Sequence, residues 1–380
     1  MALFIGFYAE MARATTSVEI GQLQIRSTEF VERESVHHYF RSTPEMEETL
    51  LAAPGVTAFA PRVLVSGLVG HEEQSRITRI MGVDPGREAQ VTVLHEAVVH
   101  GRWLSEEALD DDQPREILLG AMVARALGVD VGDELVVLLQ AVDGSLGNEL
   151  LEVTGILETG NVVLDRHTVL MHLDDLRFIA AMDDEVHEIL LAASLDDAPR
   201  IAAGLRQEFA GQDLVVRPWQ EIATELYMMI ELAESVTWVL LLIIFLIAAL
   251  GTFNTLRMST LERRKEFGVM MAVGMTRRRV VGLVVGEGLI IGLMGAALGG
   301  LIGAAFAYGT GHYGLSLAAL TGGDTLTLMG VAFTDRIHFD VRRDALVIPV
   351  VGIVVVTTLC ALWPAFRAAG EEPRDAIAGR

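Results

Sequence analysis

Hydrophobic and polar positions are sorted along this chain into two different patterns. Up to about Glu234 they interleave. Alternation over Val18–Arg26, Val56–Val69 and Ser75–Met81 predicts strands. Ile117–Leu127 reads as a strand end running into a short helix. Gly132-Asp133 reads as a turn into a strand over Glu134–Gln140, and Leu150–Leu157, Thr168–His172, Glu188–Ala193 and Leu214–Arg217 are further strands. Ser42-Thr43-Pro44-Glu45 has the form of a capping box before a helix over Met46–Ala53, which Pro54-Gly55 ends. Ala198–Phe209 has helical spacing. So has Trp219–Glu234, which runs directly into the next apolar stretch. Short strands and helices without strict alternation predict an α+β domain.

From Val236 onward polar positions almost vanish. Val236–Leu256 gives 21 residues without a charge, Val280–Tyr308 gives 29 with one charge, Glu287, and Ala345–Phe366 gives 22 with none. A bilayer core of roughly 30 Å needs about 20 apolar residues in a helix. Three full membrane spans are therefore expected. Met1–Met11 is apolar but too short to cross, and has neither the basic start nor the cleavage site of a signal peptide. It reads as the end of a truncated first span, from either a misassigned start codon, the favoured reading, or a lost helix.

The expected fold is a membrane protein: an α-helical transmembrane bundle, three full spans plus a truncated first span, with a large α+β extracytoplasmic domain. Its parts are a span remnant at 1–12, the extracytoplasmic domain with a terminal stalk helix at 13–235, spans at 236–256, 280–308 and 345–367, a loop at 257–279, an outer loop at 309–344 and a tail at 368–380. Gly288, Gly292, Gly295, Gly299 and Gly303 recur about one turn apart in the second span. Such a stripe lets another helix approach closely, either within this chain or from a partner.

Charge sets the orientation. Residues 257–279 hold seven basic side chains (Arg257, Arg263, Arg264, Lys265, Arg277, Arg278 and Arg279) against Glu262 and Glu266. That places the loop in the cytoplasm, and alternation places 13–235 and 309–344 outside. Residues 13–234 carry 16 Arg against 40 Asp plus Glu, a net of −24, within a whole-chain net charge of −22. So acidic a domain has no basic face for nucleic acid and no polybasic membrane clamp.

Candidate chemistry in the polar half is thin. His95 and His100 resemble a zincin pair but are five apart, about 140° of helical rotation, where four is required. His37-His38 point to opposite sides of a strand. The acidic runs Glu47-Glu48, Asp110-Asp111-Asp112 and Asp183-Asp184-Glu185 lack EF-hand spacing. Ser66 and Ser145 do not form Gly-x-Ser-x-Gly. One Cys, Cys360, supplies no disulfide or zinc site, and one Lys, Lys265, lies in no glycine-rich P-loop. No active site, metal or cofactor site and no ATPase site is expected.

After the first full span, Asn254–Gly274 has charged residues at helical spacing and then an apolar face of Phe267, Val269, Met270 and Val273. Such a helix either lies along the membrane or docks on a partner. Its spelling is more specific. Glu262-Arg263-Arg264-Lys265-Glu266-Phe267-Gly268-Val269, then Ala272-Val273-Gly274, then a span carrying Glu287, resembles the signature of FtsX/MacB-type permeases of ABC transporters. Ile117-Leu118-Leu119-Gly120 with Ala124–Gly128 and Val131-Gly132-Asp133 resembles their ectodomain motif. Trp363–Ala369 with Pro373 and Ala376 resembles their tail.

That resemblance, nearest to the Lol lipoprotein-releasing permeases, implies four spans, an inner-membrane location, a separate cytoplasmic ABC ATPase that binds the ATP, and a second permease subunit, identical or not. It implies that 257–279 couples to the ATPase, with Glu262, Arg263, Arg264, Glu266, Phe267, Gly268 and Gly274 at the motif positions. The expected activity is lipoprotein or lipid release from the inner membrane. The alternatives are efflux with a periplasmic adaptor, or FtsX-like regulation of a cell-wall hydrolase without transport. The truncated first span departs from the family pattern.

Overall fold

The computed structural model describes Phe7, residues 11–107 and 114–313, the short pairs 315–316, 327–328, 331–332 and 336–337, and residues 343–370. The span remnant at 1–12, apart from Phe7, Met11 and Ala12, lies outside the described residues. So do Asp110-Asp111-Asp112, most of the outer loop, and the tail from 371 with Pro373 and Ala376. The described residues fall into two compact units. One holds Met11–Met228; the other holds Met229–Ser316 and the helix Arg343–Gly370.

Among the described residues of 11–228 there are twelve strands. They are β1 (Leu23–Ser27), β2 (Phe40–Arg41), β3 (Ala58–His71), β4 (Gln74–Val83), β5 (Val98–Gly101), β6 (Arg115–Gly120), β7 (Glu134–Gln140), β8 (Leu146–Leu157), β9 (Thr168–His172), β10 (Glu185–Val186), β11 (Glu188–Ala192) and β12 (Leu214–Pro218). Ten form one mixed sheet in the order β12-β1-β11-β3-β4-β9-β6-β8-β5, while β7 pairs with both β3 and β8. β3, β4, β9, β6, β8 and β7 therefore close into a ring. β4–β9 and β6–β8 are parallel, and the other pairs in the ring are antiparallel.

β6, β9 and the first half of β3 are buried on both faces. Val63, Val65, Ile117, Leu119, Val169 and Met171 join one core, while Leu64, Leu118 and Leu170, one residue out of phase, join another. That is why the sequence here runs almost continuously apolar. Short helices cover the strands: α1 (Thr28–Glu32), α2 (Pro44–Ala52), α3 (Pro85–Val91), α4 (Ala121–Leu127), α5 (Val162–His167), α6 (Leu173–Ile179), α7 (Ala198–Glu208) and α8 (Trp219–Ile222). Thr43 caps α2 by accepting from the Met46 amide, while Ser42 donates to Glu47 instead of completing a box. Gly120 ends β6 where a Cβ would press on the Asp165 backbone, and Gly128 ends α4 at φ +69. Both glycines belong to the ectodomain motif seen in the sequence.

The strand expected over Val18–Arg26 begins only at Leu23. Thr16–Ile20 is a π-helical turn ended by Gly21 at φ +63. A buried charged cluster explains the local shape. Arg62, in the middle of β3 and 1% exposed, donates to Glu88 on α3, to Glu188 on β11 and to the Glu19 carbonyl in that turn. Arg26 on β1 also binds Glu188. The turn supplies a carbonyl that a regular strand would have spent on a neighbour. Burial pushes the Glu188 carboxyl up, but the Arg26 and Arg62 guanidiniums overrule it and hold it below the usual carboxylate range.

His187 precedes that carboxylate and is fully buried. Its Nδ1 accepts from the Leu64 amide and its Nε2 donates to the Val36 carbonyl. Burial lowers its pKa to about 4. The folded state thus refuses a proton that the unfolded chain takes up near pH ~6.5. Its contribution is complete above that pH and falls away as pH drops towards 4, on the order of 3 kcal/mol in total. His187→Gln should flatten the pH dependence of ectodomain stability between pH 6.5 and 4.5. The measurement is denaturant-dependent hydrogen exchange of β1, β3 and β11 amides in the detergent-solubilised chain; an unchanged slope refutes the assignment.

Candidate functional site

The second unit contains three helices that, among the described residues, are long and apolar enough to cross a membrane. They are α9 (Thr224–Glu262), α11 (Arg277–Tyr313) and α12 (Arg343–Gly370). α9 begins in the first unit, where Tyr227 packs edge-on to Trp219, and continues unbroken to Glu262. Between α9 and α11 sits α10 (Arg264–Ala272). Together they form an elbow that carries Glu262, Arg263, Arg264, Glu266, Phe267, Gly268 and Gly274.

Arg263 makes the bend. It leaves helical geometry at φ −91, ψ 10 and stands at the N-cap of α10. Its guanidinium binds Glu266 at 3.1 Å and also binds Glu287 on α11, while its head lies 5.2 Å from the Phe267 ring centroid. Glu287 sits seven residues, about 10 Å of helix, past Val280, where the apolar run begins. A carboxylate at that depth is expensive unless a cation answers it. The sequence singles out both residues without pairing them. The lone charge in an apolar span was the available signal.

Phe267 locks the elbow from the other side. It is 2% exposed and packs with Val280 and Val284 of α11 and Ala365 and Ala369 of α12. Gly268 is buried beside it within α10. Gly274 ends the helix at φ +107: its amide donates to the Met271 carbonyl and the Met275 amide to the Met270 carbonyl. This pair of bonds is a Schellman motif, which favours glycine at that position. Glu262, at the end of α9, is exposed; Arg264 is half-buried.

The expected apolar face of α10 is split. Phe267 points inward and Met270 packs half-buried against the same core. Val269 and Val273 are 50% and 84% exposed, and Glu266 and Lys265 are exposed as well. Residues 267 and 269 lie about 200° apart on a helix, so one core cannot hold both. α10 therefore presents an outward surface of two valines with charges beside them.

The glycine stripe divides as well. A Cβ at Gly288 would meet the Ala361 methyl, and one at Gly292 would meet the Val354 backbone and the Thr357 side chain, all on α12. Gly295, Gly299 and Gly303 meet nothing within 4 Å. Close packing within the chain accounts for the first two and not for the other three. Gly352 on α12 similarly admits the Phe245 ring of α9, and Phe253 meets Trp363 at 5.3 Å.

In the first unit, His95 lies in a 3-10 turn and His100 in β5, so they share no helix face. Among the described residues no group of three His, Cys, Asp or Glu side chains is placed to hold a metal ion.

Comparison with known proteins gives the same two halves. The MacB-like periplasmic core domain family matches residues 1–208, and the FtsX-like permease C-terminal family matches residues 238–373. The chain is 27% identical over 335 residues to the lipoprotein-releasing system transmembrane protein LolC of Xylella fastidiosa, covering 85% of this chain and 78% of that protein. It is 23% identical over 331 residues to LolC of Neisseria meningitidis, with the same coverage of 85% and 78%. It is 20% identical over 380 residues to LolE of Haemophilus influenzae, covering 98% and 88%.

Two expectations follow. Arg263→Ala and Glu287→Gln should each destabilise the helical unit, and the double variant should cost less than the sum by about 1–3 kcal/mol; SDS titration of the chain in mixed micelles measures this, and additivity would remove the ion pair from the account. Gly292→Leu should cost about 1–3 kcal/mol in the same assay by overpacking against α12, whereas Gly299→Leu should change stability by less than ~0.5 kcal/mol. Equal losses would contradict the division of the stripe.

Proposed function

Because this chain belongs to the ABC transporter permease family that joins a MacB-like periplasmic core domain to an FtsX-like C-terminal domain, we propose that its elbow is the point where a separate cytoplasmic ATPase grips it. The single supporting observation is the construction of α10. Its inner side is fastened to α11 through Arg263 and to α11 and α12 through Phe267, while its outer side leaves Val269 and Val273 50% and 84% exposed. An uncovered apolar pair beside Glu266 and Lys265 fits a partner surface, and the fastened side would carry a push on α10 into the neighbouring helices.

The seven basic residues of 257–279 support a cytoplasmic elbow, with the acidic first unit on the opposite side of the inner membrane. α9 would then be the stalk that carries movement between the two. ATP would be bound by the partner ATPase. A second permease subunit would complete the transporter, and the uncovered face of Gly295, Gly299 and Gly303 is available to it. Release of lipoproteins or lipids from the membrane is the activity we favour, since the relatives LolC and LolE are named for lipoprotein release.

One reconstitution tests this reading. The chain is co-expressed with its ATPase and second subunit, purified, and placed in vesicles with an acylated lipoprotein and a soluble acceptor. ATP should drive transfer of the lipoprotein to the acceptor. Val269→Asp with Val273→Asp, or Glu266→Arg, should cut ATPase co-purification at least tenfold while membrane insertion is retained. Retained co-purification would refute the elbow assignment. Normal ATP hydrolysis without transfer would refute lipoprotein release.

A further inference from the structure

Beside the elbow lies an open pocket of about 190 Å³. It is lined by Arg257, Thr260 and Leu261 of α9, Arg264 of α10, and Trp363 and Arg367 of α12. Three guanidiniums from three helices thus border one small space. The Arg367 head stands 5.5 Å from the Trp363 ring centroid, and Trp363 is braced by Phe253. The pocket is formed by the helical unit itself.

Its depth is fixed by the sequence. Arg257 is the first residue after the apolar run Val236–Leu256, and Arg367 the first after Ala345–Phe366. Two spans that run in the same direction therefore present their first cation at the same boundary. That boundary is where lipid headgroups sit, and where an indole such as Trp363 is favoured. Leu261, Trp363 and Phe366 nearby are 53%, 50% and 63% exposed, an apolar collar suited to the glycerol and first methylenes of a lipid. Guanidinium forks match phosphate oxygens in pairs, and basic pockets between spanning helices are sites for anionic headgroups.

We propose that this pocket holds the phosphate of an anionic phospholipid headgroup, clamped by Arg257, Arg264 and Arg367 over Trp363. The ligand ties α9, α10 and α12 together at the elbow, so lipid composition would set how firmly that joint is held. The site rests on the helices being membrane spans and not on the ATPase reading; it stays at headgroup level whichever side the elbow faces.

The test is native mass spectrometry of the purified full chain released from mixed micelles containing phosphatidylglycerol and phosphatidylcholine. The chain should retain phosphatidylglycerol at least tenfold over phosphatidylcholine. Arg257→Gln/Arg264→Gln/Arg367→Gln should lose that preference. Arg277→Gln/Arg278→Gln/Arg279→Gln, which removes equal charge outside the pocket, should keep it. Single variants Arg264→Gln and Arg367→Gln should each reduce retention several-fold, which keeps the test decisive if the triple variant does not fold. Equal retention of the two lipids, or equal loss in both triple variants, would overturn the proposal. Displacement of the lipid by 10-fold excess inorganic phosphate would make the occupant a free phosphate and overturn the lipid assignment. Co-purification with the ATPase is a separate readout, so failure of one reading leaves the other standing.

Discussion

A carboxylate inside an apolar span must be answered by a cation, and the helical unit is arranged around that requirement. Glu287 is the one charge in the 29-residue run Val280–Tyr308. Arg263 answers it from a different helix. To reach Glu287 the arginine must sit at the break between α9 and α10, and its bend sets the direction of α10. Phe267, four residues on, then falls against Val280 and Val284. The ion pair, the bend and the buried ring are consequences of one another, and the signature spelling Glu-Arg-x-x-Glu-Phe-Gly records them together.

The polar unit meets an analogous constraint differently. The first eight residues of β3 are all buried, yet they include Arg62. The charge is matched by Glu88 and Glu188, drawn from a helix and a neighbouring strand, and by the Glu19 carbonyl. Removing one partner of such a cluster strands a buried charge, at about 3–5 kcal/mol. β1, β3, β11, α3 and the turn before β1 are thereby fastened at one point. The excess of carboxylates in this unit is consistent with many arginines being held in pairs such as Arg115–Asp175 and Arg102–Glu116.

Much of this was legible in the sequence where local chemistry decides. The apolar runs lie in long helices because length and composition alone suffice. Thr43 caps its helix, and Gly274 ends α10, because those residue types have few competitors in those positions. What escaped was set by tertiary partners far apart in sequence. Val18–Ile20 alternates like a strand but is wound into a turn that feeds Arg62. Arg263 and Glu287 are 24 positions apart, and nothing local joins them. Val269 and Val273 matched the apolar spacing of Phe267, yet three helices left room for only one side. The glycines shared a spacing but not a neighbour, since α12 covers Gly288 and Gly292 and leaves Gly295, Gly299 and Gly303 bare.

The same geometry bears on how the elbow can carry force. A joint transmits a push only if it opens rarely on the timescale of the push. Burial of Phe267 contributes about 2 kcal/mol, the Arg263–Glu287 pair about 1–3 kcal/mol, and the Gly274 cap adds to both. Arg263 and Phe267 fasten the inner side of α10, while Val269 and Val273 stay 50% and 84% exposed. Attachment inward and exposure outward thus come together at one short helix and its cap.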